Sequence, residues 1–272
     1  MVMPVARETV QGTRAPYELV SAVRENPFPF EWYHLMAEDH FWFQWRLAAT
    51  RHALRAAGIP FDRPLRVLEI GGGTGVLRGE LEASTEWTID MTDLQIEALR
   101  LARHGRGRNL YYDVTEERPG FRETYDVVLL FDVLEHVQNT QPFLRSVLKH
   151  LTPGGALVLN VPALQSLFSP YDTAAGHHRR YDRRSLAAEF ARFAFRIDAL
   201  QYWGAGLVPL LMLRRLVLAI RSGDDAEIIR TGFQPPGQWA HSALLALMRF
   251  ETALWPAPPV GSSLLLAGRR TA

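Results

Sequence analysis

Short runs rich in apolar residues alternate along this chain with longer stretches in which apolar residues recur every three or four positions. The apolar runs are Leu65–Ile70, Trp87 to about Thr92, Asn109–Tyr112, Tyr125–Phe131 and Ala156–Val161. Runs of that length suit strands buried on both faces of a parallel sheet. Between them lie helical patterns at Val76 to Ala83, Leu94 to Arg103 and Gln141 to His150, the second placing Leu94, Ala98, Leu101 and Ala102 on one face. Strand and helix in alternation predict an α/β fold. A helix at Ser185–Phe193 and a strand at Phe195–Gln201 follow. Then come two apolar helices, about Leu207–Ile220 and Trp239–Trp255, and a last strand at Ser262–Ala267. The polar loop Arg221–Gly237, with Asp224, Asp225, Pro235 and Pro236, separates the two helices. Ahead of the first strand, residues 1 to about 15 lack periodicity. Tyr17 to Gly58 reads as helical, broken at Pro27 and Pro29 because proline removes a backbone donor and clashes with the preceding turn. Phe28, Phe30, Trp32 and Tyr33 surround that break, and His40-Phe41-Trp42-Phe43-Gln44-Trp45-Arg46 follows it.

Composition narrows the chemistry. The 272 residues suffice for one large α/β domain with appendages, and 47% hydrophobic content supports a sizeable core. A net charge of +1 points to no nucleic-acid partner. The absence of cysteine excludes disulfides, thiolate catalysis and cysteine–zinc sites. Lys149 is the only lysine, so a Schiff-base mechanism has one candidate. The longest apolar run, Gly204–Ile220, is interrupted by Arg214 and Arg215 and is too short to span a bilayer. No basic-then-apolar leader pattern opens the chain, and a soluble cytoplasmic protein is expected.

The strand at Leu65–Ile70 runs into Gly71-Gly72-Gly73-Thr74-Gly75, with Glu69 at its end. Glycine takes positive φ cheaply and lets a ligand approach the backbone, and the helix behind presents free N–H groups. A Walker loop is excluded because no lysine is present in the turn. A dinucleotide fingerprint needs G-x-G-x-x-G, and Val76 stands where its third glycine belongs. The remaining acid-x-Gly-x-Gly-x-Gly pattern resembles the first motif of class I S-adenosylmethionine (SAM)-dependent methyltransferases. Asp132-Val133-Leu134-Glu135-His136 resembles that family's fourth motif, and Leu151-Thr152-Pro153-Gly154-Gly155 resembles its approach to strand five. The signals fall in family order between Glu69 and Val161.

The resemblance implies a doubly wound, mostly parallel, seven-stranded Rossmann-like sheet. It would carry an N-terminal helical cap (1–60), a SAM-binding core (61–203), a helical insertion (204–260) and a last core strand (261–272). It implies S-adenosyl-L-methionine as cofactor, its methionine end held by Glu69, Gly71, Gly73 and Gly75. Asp93 or Asp90 would take the ribose hydroxyls. Asp93 is preferred, because Asp90 falls inside a buried strand. Asp113 and the Val114 N–H would meet the adenine, and Phe131 and Asp132 would line the methionine side. His136 stands where the family often has a residue near the transferred methyl, or else only packs.

After strand five, Tyr171-Asp172 and Gly176-His177-His178-Arg179-Arg180-Tyr181 crowd into a loop on the ligand side of the sheet. The latter run and His40-Phe-Trp-Phe-x-x-Arg46 resemble one bacterial group of these enzymes, often found beside envelope and secondary-metabolite pathways. Candidate proton-handling groups are His136, His177, His178 and Tyr181. Candidate acceptor-binding groups are His40, Arg46, Tyr171, Arg179 and Arg180. The bland reading is an ion-pair network of Arg179 or Arg180 with Asp172 or Asp182. No metal is expected, since adjacent loop histidines usually point apart and three suitably spaced ligands are needed. The function implied is methyl transfer to a small, lipophilic or acidic metabolite. A SAM-binding scaffold and an NAD-dependent oxidoreductase are the alternatives, and the 204–255 helices offer a membrane-surface or homodimer contact.

Overall fold

The computed structural model describes residues 9–10, 13–14, 16–24, 40–220, 228 and 237–271. The Phe28–Tyr33 aromatic cluster, its two prolines and nearly all of the loop at 221–236 lie outside the described residues.

Its centre is a single sheet of β1 (Glu18–Leu19), β2 (Arg66–Ile70), β3 (Thr88–Asp93), β4 (Asn109–Tyr111), β5 (Tyr125–Phe131), β6 (Leu151–Pro162), β7 (Phe195–Trp203) and β8 (Ser263–Arg270). The spatial order is β1-β4-β3-β2-β5-β6-β8-β7. Pairing is parallel from β1 to β6, and β8 runs antiparallel between β6 and β7. The chain therefore winds outward in both directions from β2, and its ligand crevice is expected outside the carboxyl ends of β2 and β5.

Helices cover both faces. On one, Leu68, Ile70, Val128, Leu130, Leu157 and Leu159 join α4 (Thr140–Lys149) through Leu144 and Val147, and α6 (Arg183–Phe190) through Leu186 and Phe190. On the other, Val67, Val127, Leu129 and Val158 meet α1 (Phe41–Ala56) through Trp45, Ala49 and Ala53, and α2 (Val76–Ser84) through Leu77 and Leu81. A short α3 (Ile96–Leu101) and, after β6, α5 (Pro170–Ala174) complete the core. The insertion is α7 (Val208–Ile220) and α8 (Gln238–Leu254). Buried Glu251 of α8 accepts the Gly204 and Gly206 amides at 2.7 and 3.1 Å, anchoring the insertion to the end of β7.

Three expectations are corrected. The sheet has eight strands, not seven, because Glu18–Leu19 pairs with Leu110–Tyr111 instead of forming a helix. Tyr17 is buried with Met91, Leu99 and Tyr111, and Val20 and Ser21 donate to the Tyr111 carbonyl, so edge pairing satisfies this segment. A strand two residues long carries no readable alternation. Within the tail expected to be irregular, Thr9–Val10 pairs with Thr13–Arg14. Finally, Pro153-Gly154-Gly155 does not precede strand five but lies within β6, where the register against β5 shifts.

Candidate functional site

A cavity of about 940 Å3 opens at the carboxyl ends of β2, β3, β5 and β6. Its floor is the glycine turn. Gly71 and Gly73 sit at φ 71° and 58°, the left-handed region where glycine is favoured. A Cβ on Gly71 would meet Val133 Cγ2 at 2.3 Å, and one on Gly72 would meet Met91 Cγ at 2.2 Å. Gly75, at φ 79°, caps α2 and does not line the cavity.

Glu69 lies in the cavity wall, buried, and its Oε2 has no hydrogen-bond partner among the described residues. Burial pushes its carboxyl up to about 7; Arg78 and Arg46 pull it down, and Asp93 and Glu82 push it further up.

The two strand-three acids diverge. Asp93 faces the cavity, where its Oδ2 accepts the Gly73 amide and its Oδ1 the Gln95 amide, each at 2.8 Å. Burial raises its carboxyl. Asp90 does not line the cavity. Arg108 donates to it at 2.6 Å and the Tyr125 hydroxyl at 2.9 Å. Burial alone would raise Asp90, but those hydrogen bonds and the Arg108 charge hold it low. Asp90 is thereby removed from the candidate site.

Asp113 and Val114 line the adjoining wall beside Tyr112, and Asp113 also accepts the Thr115 amide at 2.9 Å. Phe131 and Asp132 line it from the end of β5. Asp132, at φ 55°, is held by two partners: Arg46 donates to Oδ2 and Asn160 Nδ2 to Oδ1, each at 2.6 Å. Trp203 Nε1 fixes Asn160 at 2.8 Å. The Arg46 guanidinium lies 4.7 Å from the Trp42 ring centroid and 5.0 Å from that of Phe43. His40 lines the cavity while capping α1, its Nδ1 accepting the Trp42 amide at 3.2 Å.

The segment after β6 brings Tyr171 of α5 and His177, His178 and Arg180 of the following loop into the cavity wall, which Glu135 and His136 of the turn Leu134–His136 also line. Arg180 Nε donates to Asp172 Oδ1 at 2.7 Å, and His177 Nδ1 lies 2.9 Å from the same oxygen. The ion pair foreseen as the bland alternative thus forms with Asp172, whereas Asp182 caps α6 by accepting the Ser185 amide at 2.7 Å. Burial would raise Asp172, but the His177 hydrogen bond and the Arg180 charge and bond hold it well below the usual carboxylate range. Burial, then the neighbouring His177, lowers His136 to about 3, which leaves it neutral and a poor base. Besides Gly75 and Asp90, two further candidates fall outside the cavity. Arg179 donates to the Gln138 carbonyl at 2.8 Å. Tyr181 pairs with Ala163, packs in the core and has no partner for its hydroxyl among the described residues.

Among the lining residues not proposed for the site from the sequence are Trp42, Glu135, Leu211 and Arg214. The Arg214 guanidinium stands 4.3 Å from the Tyr171 ring centroid. Glu135 had a signal, an acid set between apolar Leu134 and the histidine of a motif. Arg214 had only the oddity of a charge in an apolar helix.

Residues 39–200 match a sequence family described as a methyltransferase domain. An O-methyltransferase of ubiquinone biosynthesis from Rickettsia conorii is 31% identical over 99 residues, 35% of this chain and 34% of the relative. The chain thus spans about a third of that curated relative's length. Phosphoethanolamine N-methyltransferase 2 from Haemonchus contortus, solved with S-adenosyl-L-methionine, superposes with a TM-score of 0.52 at 15% identity, over 82% of this chain and 52% of that one. The 4+2 cyclase SpnF superposes with a TM-score of 0.55 at 15% identity, over 85% and 84%. At such identities the likeness shows the fold alone.

Proposed function

The chain belongs to the methyltransferase-domain family that its residues 39–200 match, and we propose that it moves the methyl group of S-adenosyl-L-methionine to a small metabolite held in the same cavity. The observation that carries this reading is Glu69, a buried carboxylate on the cavity wall whose Oε2 lacks a partner among the described residues. A cationic amino group is the partner such an oxygen lacks.

The other walls fit the rest of the cofactor. Gly71, Gly72 and Gly73 line the cavity with no side chain between it and their backbone, so a ligand can lie against the turn. Asp93 accepts the amides of Gly73, Gln95 and Leu94, and a carboxylate with about four acceptor sites can still take a ribose hydroxyl. Asp113 and the Val114 N–H suit the adenine edge. When bound, the cofactor supplies a methyl group on a sulfonium that is already a good leaving group. The protein's own work is then to align the acceptor and exclude water.

At about 940 Å3 the cavity is near the upper end of small-molecule sites, roughly 300–1,000 Å3, so it has room for two ligands. Leu207, Leu210, Leu211 and Leu244 line its insertion side, with Arg214 over Tyr171 among them. That lining suits an acceptor with an apolar body and an acidic group, rather than a nucleic acid. A hydroxyl acceptor must also lose a proton, and His177 and His178, both in the wall, are placed to take it.

The reading extends to the outer faces of α7 and α8, where Met212, Leu213, Leu216, Trp239, Phe250 and Leu254 are exposed. We assign this face to a membrane surface or a second copy, and the protein to the cytoplasm. Among the described residues no helix is long and apolar enough to cross a membrane.

Incubation with SAM and a panel of hydroxylated and amino-bearing lipophilic acids, read by mass spectrometry, tests the activity. A methylated product with matching S-adenosylhomocysteine supports it. Cofactor binding without any methylated product favours a SAM-binding scaffold instead.

A further inference from the structure

The wall opposite the glycine turn holds a cluster that methyl transfer alone does not require. Glu135, His136 and His177 each offer one donor atom, and these atoms lie within 4.8 Å of one another. We propose that these three residues bind one divalent transition-metal ion of the zinc type, set in the acceptor side of the cavity.

The backbone builds this convergence from two separate elements. Glu135 and His136 are neighbours on the tight turn that follows β5. His177 comes from the loop after α5, which the His178 amide ties to the Glu135 carbonyl at 2.8 Å. The His136 and His177 rings meet edge to face with centroids 4.7 Å apart. Glu135 is 1% exposed, yet its Oε2 has no hydrogen-bond partner among the described residues. A buried carboxylate oxygen without a donor is costly unless a cation completes it.

The surroundings are those of a ligand set. Metal-bound histidines usually donate their other ring nitrogen to a carboxylate, which fixes the ring. His177 Nδ1 lies 2.9 Å from Asp172 Oδ1, leaving Nε2 for a metal. Asp172 is itself fully buried and immobilised, by Arg180 Nε at 2.7 Å and by the Ser169 amide and hydroxyl at 2.9 and 3.0 Å. Two imidazoles and one carboxylate suit zinc-type ions, whereas magnesium and calcium prefer oxygen shells. Three protein ligands leave a coordination position open to the cavity.

Such an ion would take an oxygen of the acceptor and lower its pKa, with His178 left to receive the proton. That consequence rests on the proposed methyl transfer; the metal site itself does not.

The full chain, stripped with a chelator, is titrated with Zn2+ and, separately, with Co2+ followed by visible absorption. S-adenosylhomocysteine binding is measured on the same samples. Expected are one tightly held Zn2+ per chain and a Co2+ ligand-field band. Both are lost in His177→Ala and in Glu135→Gln. Zn2+ affinity falls about 10–100-fold in Asp172→Asn and changes little in His178→Ala. Absence of stoichiometric Zn2+ from the wild-type chain overturns the proposal, as does Zn2+ retained unchanged in His177→Ala. Where a variant fails to fold, shown by lost S-adenosylhomocysteine binding, the wild-type Co2+ spectrum and Asp172→Asn decide. A chain that binds S-adenosylhomocysteine but not Zn2+ loses the metal site alone. The converse result removes the methyltransferase reading alone.

Discussion

Arg46 donates to Asp132 at 2.6 Å and joins the helix ahead of the sheet to the turn ending its central strand. Both partners line the cavity, and Asn160 holds the other Asp132 oxygen. Asp132 is therefore committed to the chain's own donors, and Arg46 shapes the site by fixing it.

Arg46→Ala leaves Asp132 short of its cation and strips the guanidinium from the faces of Trp42 and Phe43. Breaking a buried pair costs roughly 3–5 kcal/mol. With the Asp132 side chain 21% exposed, about 2–3 kcal/mol is expected here. Denaturant unfolding measures it. Arg46→Lys keeps the charge but not the planar stacking, and recovers only part of the loss.

The acids at 90 and 93 are expected to separate cleanly. Asp93→Ala removes cofactor affinity by about two orders of magnitude, as for lost charge-assisted bonds of roughly 1.5–3 kcal/mol. Asp90→Ala leaves affinity nearly intact but lowers the melting temperature, because Arg108 and Tyr125 lose their shared partner. Paired titration and thermal unfolding read both effects. Asp93 destabilising without affecting binding is the contrary outcome.

Glu69 gives a pH dependence with a defined sign. Its carboxyl titrates at about 7 folded and 4.5 in the reference state, so between those values the folded chain holds a proton the unfolded chain lacks. Its contribution to stability is full below pH 4.5 and is lost as pH rises through about 7. The charged groups that act on it are Arg78, Arg46, Asp93 and Glu82. Cofactor affinity should rise from pH 6 to about 8 as Glu69 ionises. In Glu69→Gln it should be weak and flat, while the ligand-free protein gains on the order of 1–3 kcal/mol at pH 8.

Glycine substitutions should sort by geometry. Gly71→Ala meets both a left-handed backbone and Val133, so it loses stability and cofactor binding together. Gly79, inside α2 with nothing within 4 Å of its added Cβ, should gain about 0.5–1 kcal/mol on replacement by alanine. Thermal melts of the two variants move in opposite directions.

The order of strands and helices was legible because the central strands are rich in apolar residues, as Tyr125–Phe131, with Asp126 its only charge, shows. Part of the cavity wall was legible for a related reason: Glu69, Asp93 and Asp132 sit at or near strand ends, where periodicity breaks into charge. Contacts between distant segments left no such trace. Nothing local says that Arg46 pairs with Asp132, or that Asp90 answers to Arg108. Nor does adjacency reveal that His177, but not His178, converges on Glu135 and His136. Glu18–Leu19 was too short to show its period, and Tyr181 looked reactive beside charged neighbours although its ring belongs to the core.

The most direct test is calorimetric titration of the purified chain with SAM, S-adenosylhomocysteine and NAD. The account predicts one site per chain for the two sulfur compounds, strengthened from pH 6 to about 8 by Glu69, and no heat with NAD. NAD binding, or no binding of either sulfur compound by a folded chain, contradicts it.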